Sequence, residues 1–102
     1  MKLKYRQAAI FDIQNTCGYI RDHLKNPQAA KNLKTRLLNG ASLLKNSPYR
    51  GIAMDSKYDG FDPALRFLVV SKQLIFYEVH DDLIEIIRVL DGRSDYLAHL
   101  LD

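Results

Sequence analysis

A chain of 102 residues, of which 47% are hydrophobic and 26% charged, has the composition of one folded globular domain over residues 1–102 rather than of a disordered segment. Its single cysteine, Cys17, excludes an intramolecular disulfide and indicates a reducing cytoplasm. No run reaches the roughly 20 apolar residues of a membrane span, and the basic N-terminus lacks the apolar stretch of a signal peptide.

The net charge of +3 is divided unevenly along the chain. Residues 1–50 carry ten basic and two acidic side chains, a balance of +8, whereas residues 51–102 carry five basic and ten acidic ones, a balance of −5. Such a split is typical of a chain with an acidic or polyanionic partner. Two solvated faces that attract each other across the fold would explain it equally well.

Alternation and helical spacing predict the elements of the N-terminal half. Residues 1–5 alternate between polar and apolar and predict a short strand. A first helix follows, with the apolar stripe Ile10, Ile13, Cys17, Ile20 and Leu24. Asn26 and Pro27 are a favoured N-cap and first helical residue. They begin a second helix, whose stripe is Ala30, Leu33, Leu37, Ala41 and Leu44. The short joint between the two helices predicts an antiparallel helical hairpin.

The C-terminal half predicts an antiparallel sheet. Residues 47 and 48, Ser-Pro, end the second helix, and residues 49–63, rich in Gly, Asp and Ser, are predicted to form a long loop. Three β-like runs with short connectors follow, at 64–70, 73–79 and 83–90. The stretch 94–101 predicts a short C-terminal helix. The order β-α-α-β-β-β predicts a two-layer α+β domain, in which the helical hairpin packs on a mainly antiparallel sheet that includes the first strand.

Motifs in a fixed order point to a family. They are LRFLVV at Leu65–Val70, LIFYEV at 74–79, and IIRVLDGRSDY at 86–96. Shorter matches precede them at 12–13, 19–20, 26–30 and 47–51. In this order and spacing the motifs resemble the RelE/ParE toxin superfamily, the plasmid stabilisation toxins, over nearly the whole chain.

The resemblance implies the toxin of a type II toxin–antitoxin pair, which is held silent by a cognate antitoxin. An acidic antitoxin tail would be attracted to the half of the chain with a balance of +8. One branch of the superfamily cleaves messenger RNA on the ribosome, and the other poisons DNA gyrase. The chain would be an enzyme, an endoribonuclease, only in the first branch. Neither branch implies a cofactor or a membrane.

The candidate site residues follow from the nuclease branch. RNA cleavage needs cations that hold phosphates and an acid–base pair for the reacting oxygens. Arg93, Tyr96 and His99 are the catalytic candidates, and Arg66, Arg93 and Tyr96 are the candidates for binding the target or RNA. The competing interpretations are that both arginines form surface ion pairs, that Tyr96 anchors a C-terminal helix, and that His99 lies in a frayed tail. Alternation predicts that Arg88 is half-buried and structural.

The remaining polar residues predict little chemistry. His80, beside Asp81 and Asp82, is predicted to lie in a turn, and His23 is predicted to lie on a helix with its side chain in solvent. Three loop carboxylates lack the ligand spacing of a calcium loop, so no metal is predicted; they are Asp55, Asp59 and Asp62.

Two departures from the family pattern weigh against the nuclease branch. Asp91 stands where the family often has histidine, and Leu74 stands where an RNA-cleaving branch has an arginine. Because leucine cannot hold a phosphate, the sequence favours gyrase inhibition. The alternatives are a ribosome-dependent messenger RNA endonuclease and a degenerate toxin that only binds its antitoxin. Whether the free toxin forms a homodimer is left open by the sequence.

Overall fold

The computed structural model describes residues 1–101, with the backbone alone described at Leu101. Its elements are β1 (Lys2–Tyr5), α1 (Gln7–Asp22), α2 (Pro27–Leu43), β2 (Ile52–Ala53), β3 (Leu65–Val70), β4 (Gln73–His80), β5 (Leu83–Asp91) and α3 (Tyr96–Leu101). The predicted α+β class and element order are confirmed, with β2 as an additional short strand. Within the described part of the chain, no helix is both long and apolar enough to cross a membrane.

The five strands form one sheet in the order β1-β5-β4-β3-β2. Strands β3, β4 and β5 make the predicted antiparallel meander. Strand β1 pairs parallel to β5, with Leu3 opposite Ile84 and Tyr5 opposite Ile86. The chain between these two strands, which includes α1 and α2, provides the long crossover that a parallel pair needs.

The hairpin of α1 and α2 forms where the sequence predicts it. The Asn26 side chain accepts a hydrogen bond of 3.1 Å from the Ala29 backbone amide, and Pro27 is the first residue of α2. The predicted apolar stripe of α1 is one residue too long, however. Helix α1 ends at Asp22 and the chain reverses at Lys25, which has a φ of 54°. Leu24 therefore lies outside the helix and is exposed.

The loop predicted for residues 49–63 is only partly irregular. It contains β2 and a 3-10 turn at Met54–Ser56. The Met54 side chain is fully buried, and Tyr58 and Phe61 pack against the same cluster. An element of two or three residues is too short to show a period in the sequence, so the prediction was wrong here.

The sheet buries side chains on both faces. One face packs on α1 and α2 through a core that includes Ile75, Tyr77, Ile84, Ile86 and Val89. The opposite face carries a second, smaller cluster of Met54, Leu65, Phe67, Leu74, Phe76 and Leu90, covered by the 54–61 segment and α3. The sheet is thus covered by the helical hairpin on one face and by a smaller, partial cover on the other. Burial on both faces explains why the LIFYEV segment is apolar at successive positions and not only at every second one.

A β-bulge sets the orientation of β5. Tyr77 lies opposite Ile86 and Phe76 lies opposite Arg88, which leaves Ile87 as the extra residue. Because of this extra residue, the side chains after the bulge point to the opposite face from the one that regular alternation along β5 would give. Val89 consequently joins the core under the helices, and Arg88 is kept out of it.

The buried hydroxyl of Tyr77 fixes the chain where it leaves the helical hairpin. It accepts a hydrogen bond of 2.9 Å from the Gly51 amide and donates one of 2.9 Å to the Pro48 carbonyl. Gly51 must be glycine at this approach, because a Cβ there would lie 2.5 Å from the Phe67 carbonyl oxygen and 2.6 Å from the Tyr77 hydroxyl. This hydroxyl therefore holds the 48–51 segment against the central strand.

We expect Tyr77→Phe to lower the free energy of unfolding by about 1–3 kcal/mol, because it leaves a buried amide and a carbonyl without their partner. Urea titration monitored by circular dichroism measures the change. Tyr49→Phe is the matched control: Tyr49 is 67% exposed, and its replacement should change stability by less than about 0.5 kcal/mol. Equal midpoints for the two variants would contradict the role assigned to the Tyr77 hydroxyl.

Candidate functional site

Arg66 binds backbone carbonyls rather than an acidic side chain. Its guanidinium donates hydrogen bonds of 2.7 Å to the Gly51 carbonyl and 3.3 Å to the Tyr49 carbonyl, and it lies 5.3 Å from the centre of the Tyr49 ring. The ion pair considered for Arg66 is therefore wrong. Arg66 is opposite Tyr77 in the sheet, so it lies on the face that carries the helices.

Arg93 forms a close ion pair with Asp91 just after β5. Its Nε and Nη2 atoms lie 3.0 and 2.7 Å from the two carboxylate oxygens, and its backbone amide donates a third hydrogen bond of 2.8 Å. Hydrogen bonds from the guanidinium, and then from the amide, lower the pKa of Asp91 to about 2. The surface ion pair considered for Arg93 is confirmed. Its side chain remains 70% exposed.

Tyr96 anchors α3 on the second face of the sheet. Its hydroxyl is hydrogen-bonded to the Tyr58 hydroxyl at 3.1 Å, and its ring centre lies 5.9 Å from that of Phe76. The bond to Tyr58, followed by burial, raises the pKa of Tyr96. The anchoring interpretation is confirmed, and the hydroxyl stays protonated at neutral pH.

His99 lies exposed on α3, and Arg88 connects that helix to α1. The guanidinium of Arg88 makes two hydrogen bonds to the Asp12 carboxylate, at 2.7 and 2.9 Å, and a third of 3.4 Å to the His99 carbonyl. Arg88 is half-buried, as predicted, but the bulge in β5 places it opposite Phe76, on the other face of the sheet from Ile84 and Ile86. Only the backbone carbonyl of His99 accepts a hydrogen bond from Arg88, so this bond does not orient the imidazole ring.

The structure does not bring the four candidates, Arg66, Arg93, Tyr96 and His99, together at one site. Arg66 contacts the 49–51 segment on the helix side of the sheet, whereas Tyr96 packs against Phe76 on the opposite side. Arg93 extends from the end of β5, beside the carboxylate that it pairs with. Arg66, Arg93 and Tyr96 thus each bind a partner of their own, namely backbone carbonyls, a carboxylate and a second hydroxyl.

A groove beside Arg93 was not predicted from the sequence. It has a volume of about 460 Å³ and is lined by Asn15, Thr16, Tyr19, Ile20, Leu24, Gln73, Asp91 and Arg93. Tyr19 and Leu24 are 56% and 58% exposed, which is unusual for large apolar side chains placed side by side. The groove could not be predicted from the sequence, because Leu24 fits the apolar stripe of α1. In the structure Leu24 lies beyond the end of that helix.

Among the residues that the structure describes, one side-chain cluster has donor atoms close enough to hold a metal. Glu78, His80 and Glu85 each present one such atom, all within 4.8 Å of one another. Arg6 already lies 3.1 Å from the Glu85 carboxylate and lowers the pKa of Glu85. His80 is the last residue of β4, so its prediction as a turn residue was wrong.

The family follows from a comparison of the whole sequence. The family model for the ParE toxin of the type II toxin–antitoxin system parDE matches residues 3–96. The chain belongs to this family. No curated protein matches it.

Solved structures agree on the fold of this ParE-family chain. A chain from the chromosomal ParDE toxin–antitoxin system of P. aeruginosa superposes with a TM-score of 0.72 at 19% sequence identity. The superposition covers 89% of this chain and 95% of the other. At this identity the likeness establishes the α+β fold of the ParE-family chain.

The Asp91–Arg93 pair makes stability depend on pH. Because the native pKa of about 2 lies below the ordinary value of 3.8, the pair stabilises the fold above pH 3.8 and loses this contribution as pH falls towards 2. We expect Asp91→Asn to lower the free energy of unfolding by about 1 kcal/mol near neutral pH, after allowing for solvent screening.

Denaturant unfolding of both proteins at several pH values measures this difference, which should shrink between about pH 4 and pH 2. Asp59→Asn, at an exposed loop position, is the control. A difference between wild type and Asp91→Asn that stays constant over that range would rule out the linkage.

Proposed function

We propose that this ParE-family toxin arrests growth by inhibiting DNA gyrase. The observation that carries the proposal is that two of the nuclease candidates lie on opposite faces of the sheet. Cleavage of RNA requires cations and an acid–base pair around one reacting phosphate. Here Arg66 and Tyr96 contact opposite faces of the sheet.

The two departures from the family pattern support the same proposal. Leu74 is 7% exposed within the second cluster, so that position is committed to packing and has no side chain that could reach a phosphate. The Asp91 carboxylate neutralises Arg93, and its pKa of about 2 keeps it charged at any physiological pH. A neutral ion pair attracts a phosphate far less than a free guanidinium does.

The alternative is a ribosome-dependent messenger RNA endonuclease that uses Arg93, Tyr96 and His99. The 70% exposure of the Arg93 side chain favours it, since a polyanion could draw the guanidinium away from Asp91. A degenerate toxin that only binds an antitoxin is the third candidate. The basic surface of α2, which carries Lys31, Lys34 and Arg36 and no acidic residue, supports an acidic antitoxin as partner in all three cases.

The purified chain should inhibit supercoiling by purified DNA gyrase and increase the amount of cleaved DNA, while messenger RNA in a translation extract stays intact. In cells, pulse labelling after induction should show that DNA synthesis falls before protein synthesis. Ribosome-dependent cleavage of the messenger RNA would overturn the gyrase proposal in favour of the endonuclease. A chain that affects neither gyrase, nor messenger RNA, nor growth is the degenerate toxin.

Tyr96→Phe separates the two active mechanisms. The variant keeps the ring that packs on Phe76 and removes only the hydroxyl. We expect growth arrest to be unchanged, because gyrase inhibition needs no proton transfer. A nuclease that used this hydroxyl as acid or base would lose roughly 10²–10⁴-fold in cleavage rate. Loss of growth arrest in Tyr96→Phe, at unchanged antitoxin affinity, would therefore support the endonuclease.

A further inference from the structure

Three side chains of the types that bind metals share the second face of the sheet, close to the turn between β4 and β5. Glu78 and His80 are two residues apart on β4, so their side chains project from the same face as Phe76. Glu85 lies directly opposite Glu78 on β5 and belongs to this face too. The sequence does not reveal this cluster, because only strand pairing brings Glu85 beside the other two.

The distances from the imidazole to the carboxylates match those around a bound zinc ion. The Nε2 atom of His80 lies 3.4 Å from Oε1 of Glu78 and 3.5 Å from Oε1 of Glu85. Both distances exceed the roughly 2.7–2.9 Å of a strong charged hydrogen bond. Zinc binds imidazole nitrogen and carboxylate oxygen at about 2.0–2.2 Å with tetrahedral geometry, which places two of its ligand atoms about 3.3–3.6 Å apart.

The third distance in the cluster needs only a small adjustment. All three ligand atoms lie within 4.8 Å of one another, so the two carboxylate oxygens are already close. A glutamate side chain reaches a neighbouring position by rotating about its single bonds. The backbone of the two paired strands can therefore stay as it is when an ion binds.

The two carboxylates of the cluster carry more negative charge than their neighbours balance. Like charges directly opposite each other destabilise a pair of strands, and side chains that are 22% and 15% exposed are screened weakly by water. Arg6 pairs with Glu85, and Lys4, opposite Glu85 on β1, is not among its ion-pair partners. Among the described residues, Glu78 has an ion pair with His80 alone, which counts only when the imidazole is protonated.

We propose that Glu78, His80 and Glu85 bind one zinc ion. One imidazole and two carboxylates give zinc three protein ligands and leave its fourth position to water. Magnesium prefers oxygen ligands, so the imidazole selects against it. The divalent charge would neutralise both carboxylates and join β4 to β5 beside the turn. The inference is independent of the proposed function, which uses none of these three residues.

Arg6 holds the Glu85 carboxylate from the side away from His80. Its Nε atom lies 3.1 Å from Oε2, and its Nη2 atom donates a hydrogen bond of 3.2 Å to Oε1. Zinc at Oε1 would replace the longer of these two contacts and leave Oε2 bound to Nε. A hydrogen bond to the second oxygen of a ligating carboxylate fixes its orientation. Arg6 is therefore a positioning residue for the ion.

The test uses the purified chain without a histidine tag, and zinc chloride as the probe. Isothermal titration calorimetry measures the affinity of wild type, His80→Ala and Glu78→Gln. His23→Ala and Asp59→Asn are the matched controls, because they remove an imidazole and a carboxylate that lie outside the cluster. Circular dichroism confirms that each variant is folded.

We expect one zinc ion per wild-type chain, at least about tenfold weaker binding by the two cluster variants, and affinities of the controls within about threefold of wild type. Zinc should raise the Tm of wild type but not that of His80→Ala, since an ion that binds only the folded state stabilises it. An excess of magnesium chloride should leave zinc binding unchanged.

Nuclear magnetic resonance of the wild-type chain locates the ion without any variant. On addition of zinc, the imidazole signals of His80 should shift, and those of His23 and His99 should not. A wild-type dissociation constant above about 1 mM would overturn the proposal. So would equal affinities in the folded cluster variants and wild type, a shift of the other histidines in place of His80, or displacement of zinc by magnesium, which would indicate a general attraction of cations to carboxylates.

Discussion

The carboxylate of Asp12 joins the helical layer, the sheet and the C-terminal helix at one point. It accepts two hydrogen bonds from Arg88, and a third of 2.9 Å from the Val89 amide. Arg88 in turn donates to the His99 carbonyl on α3. Beyond Tyr5, where β1 ends, β5 has no strand on that side within the described chain, and the Asp12 side chain satisfies the amide that a strand would otherwise bind. Removing this carboxylate would leave a half-buried cation and an unpaired amide together.

This contact is made by the two residues that follow the bulge at Ile87. The extra residue turns Arg88 away from the helix-facing core and brings Val89 into it. The same shift leaves Leu90 on the second face, where it packs beneath α3 with Tyr96. The bulge thus brings Leu90 to the face on which Tyr96 packs, whereas the pairing of Arg66 with Tyr77 places Arg66 on the other face.

The elements that could be predicted from the sequence depend on local signals. Asn26 and Pro27 begin α2 through a hydrogen bond three residues away, and the meander follows from alternation and short connectors. The 49–56 segment could not be predicted in this way, because Tyr77 and Arg66, distant in the sequence, fix its path. The candidate site was predicted as a set of residue types near one another in the sequence. Their dispersal depends on which face of the sheet each strand presents, and a single unrecognised bulge alters that alternation.

The parallel pairing of β1 with β5 determines when during synthesis the sheet can be completed. Strand β1 is synthesised before the other strands of the described chain and finds its partner residues, from Leu83 to Ile86, only after almost all of that chain has been made. Until then Leu3 and Tyr5 have no sheet to join, and the edge of β5 that they cover does not exist. Closing so long a segment of chain also carries a larger entropic penalty than forming the meander. The nascent chain therefore completes its five-stranded sheet only at the end of the synthesis of the described residues, when residues 83–86 become available to β1.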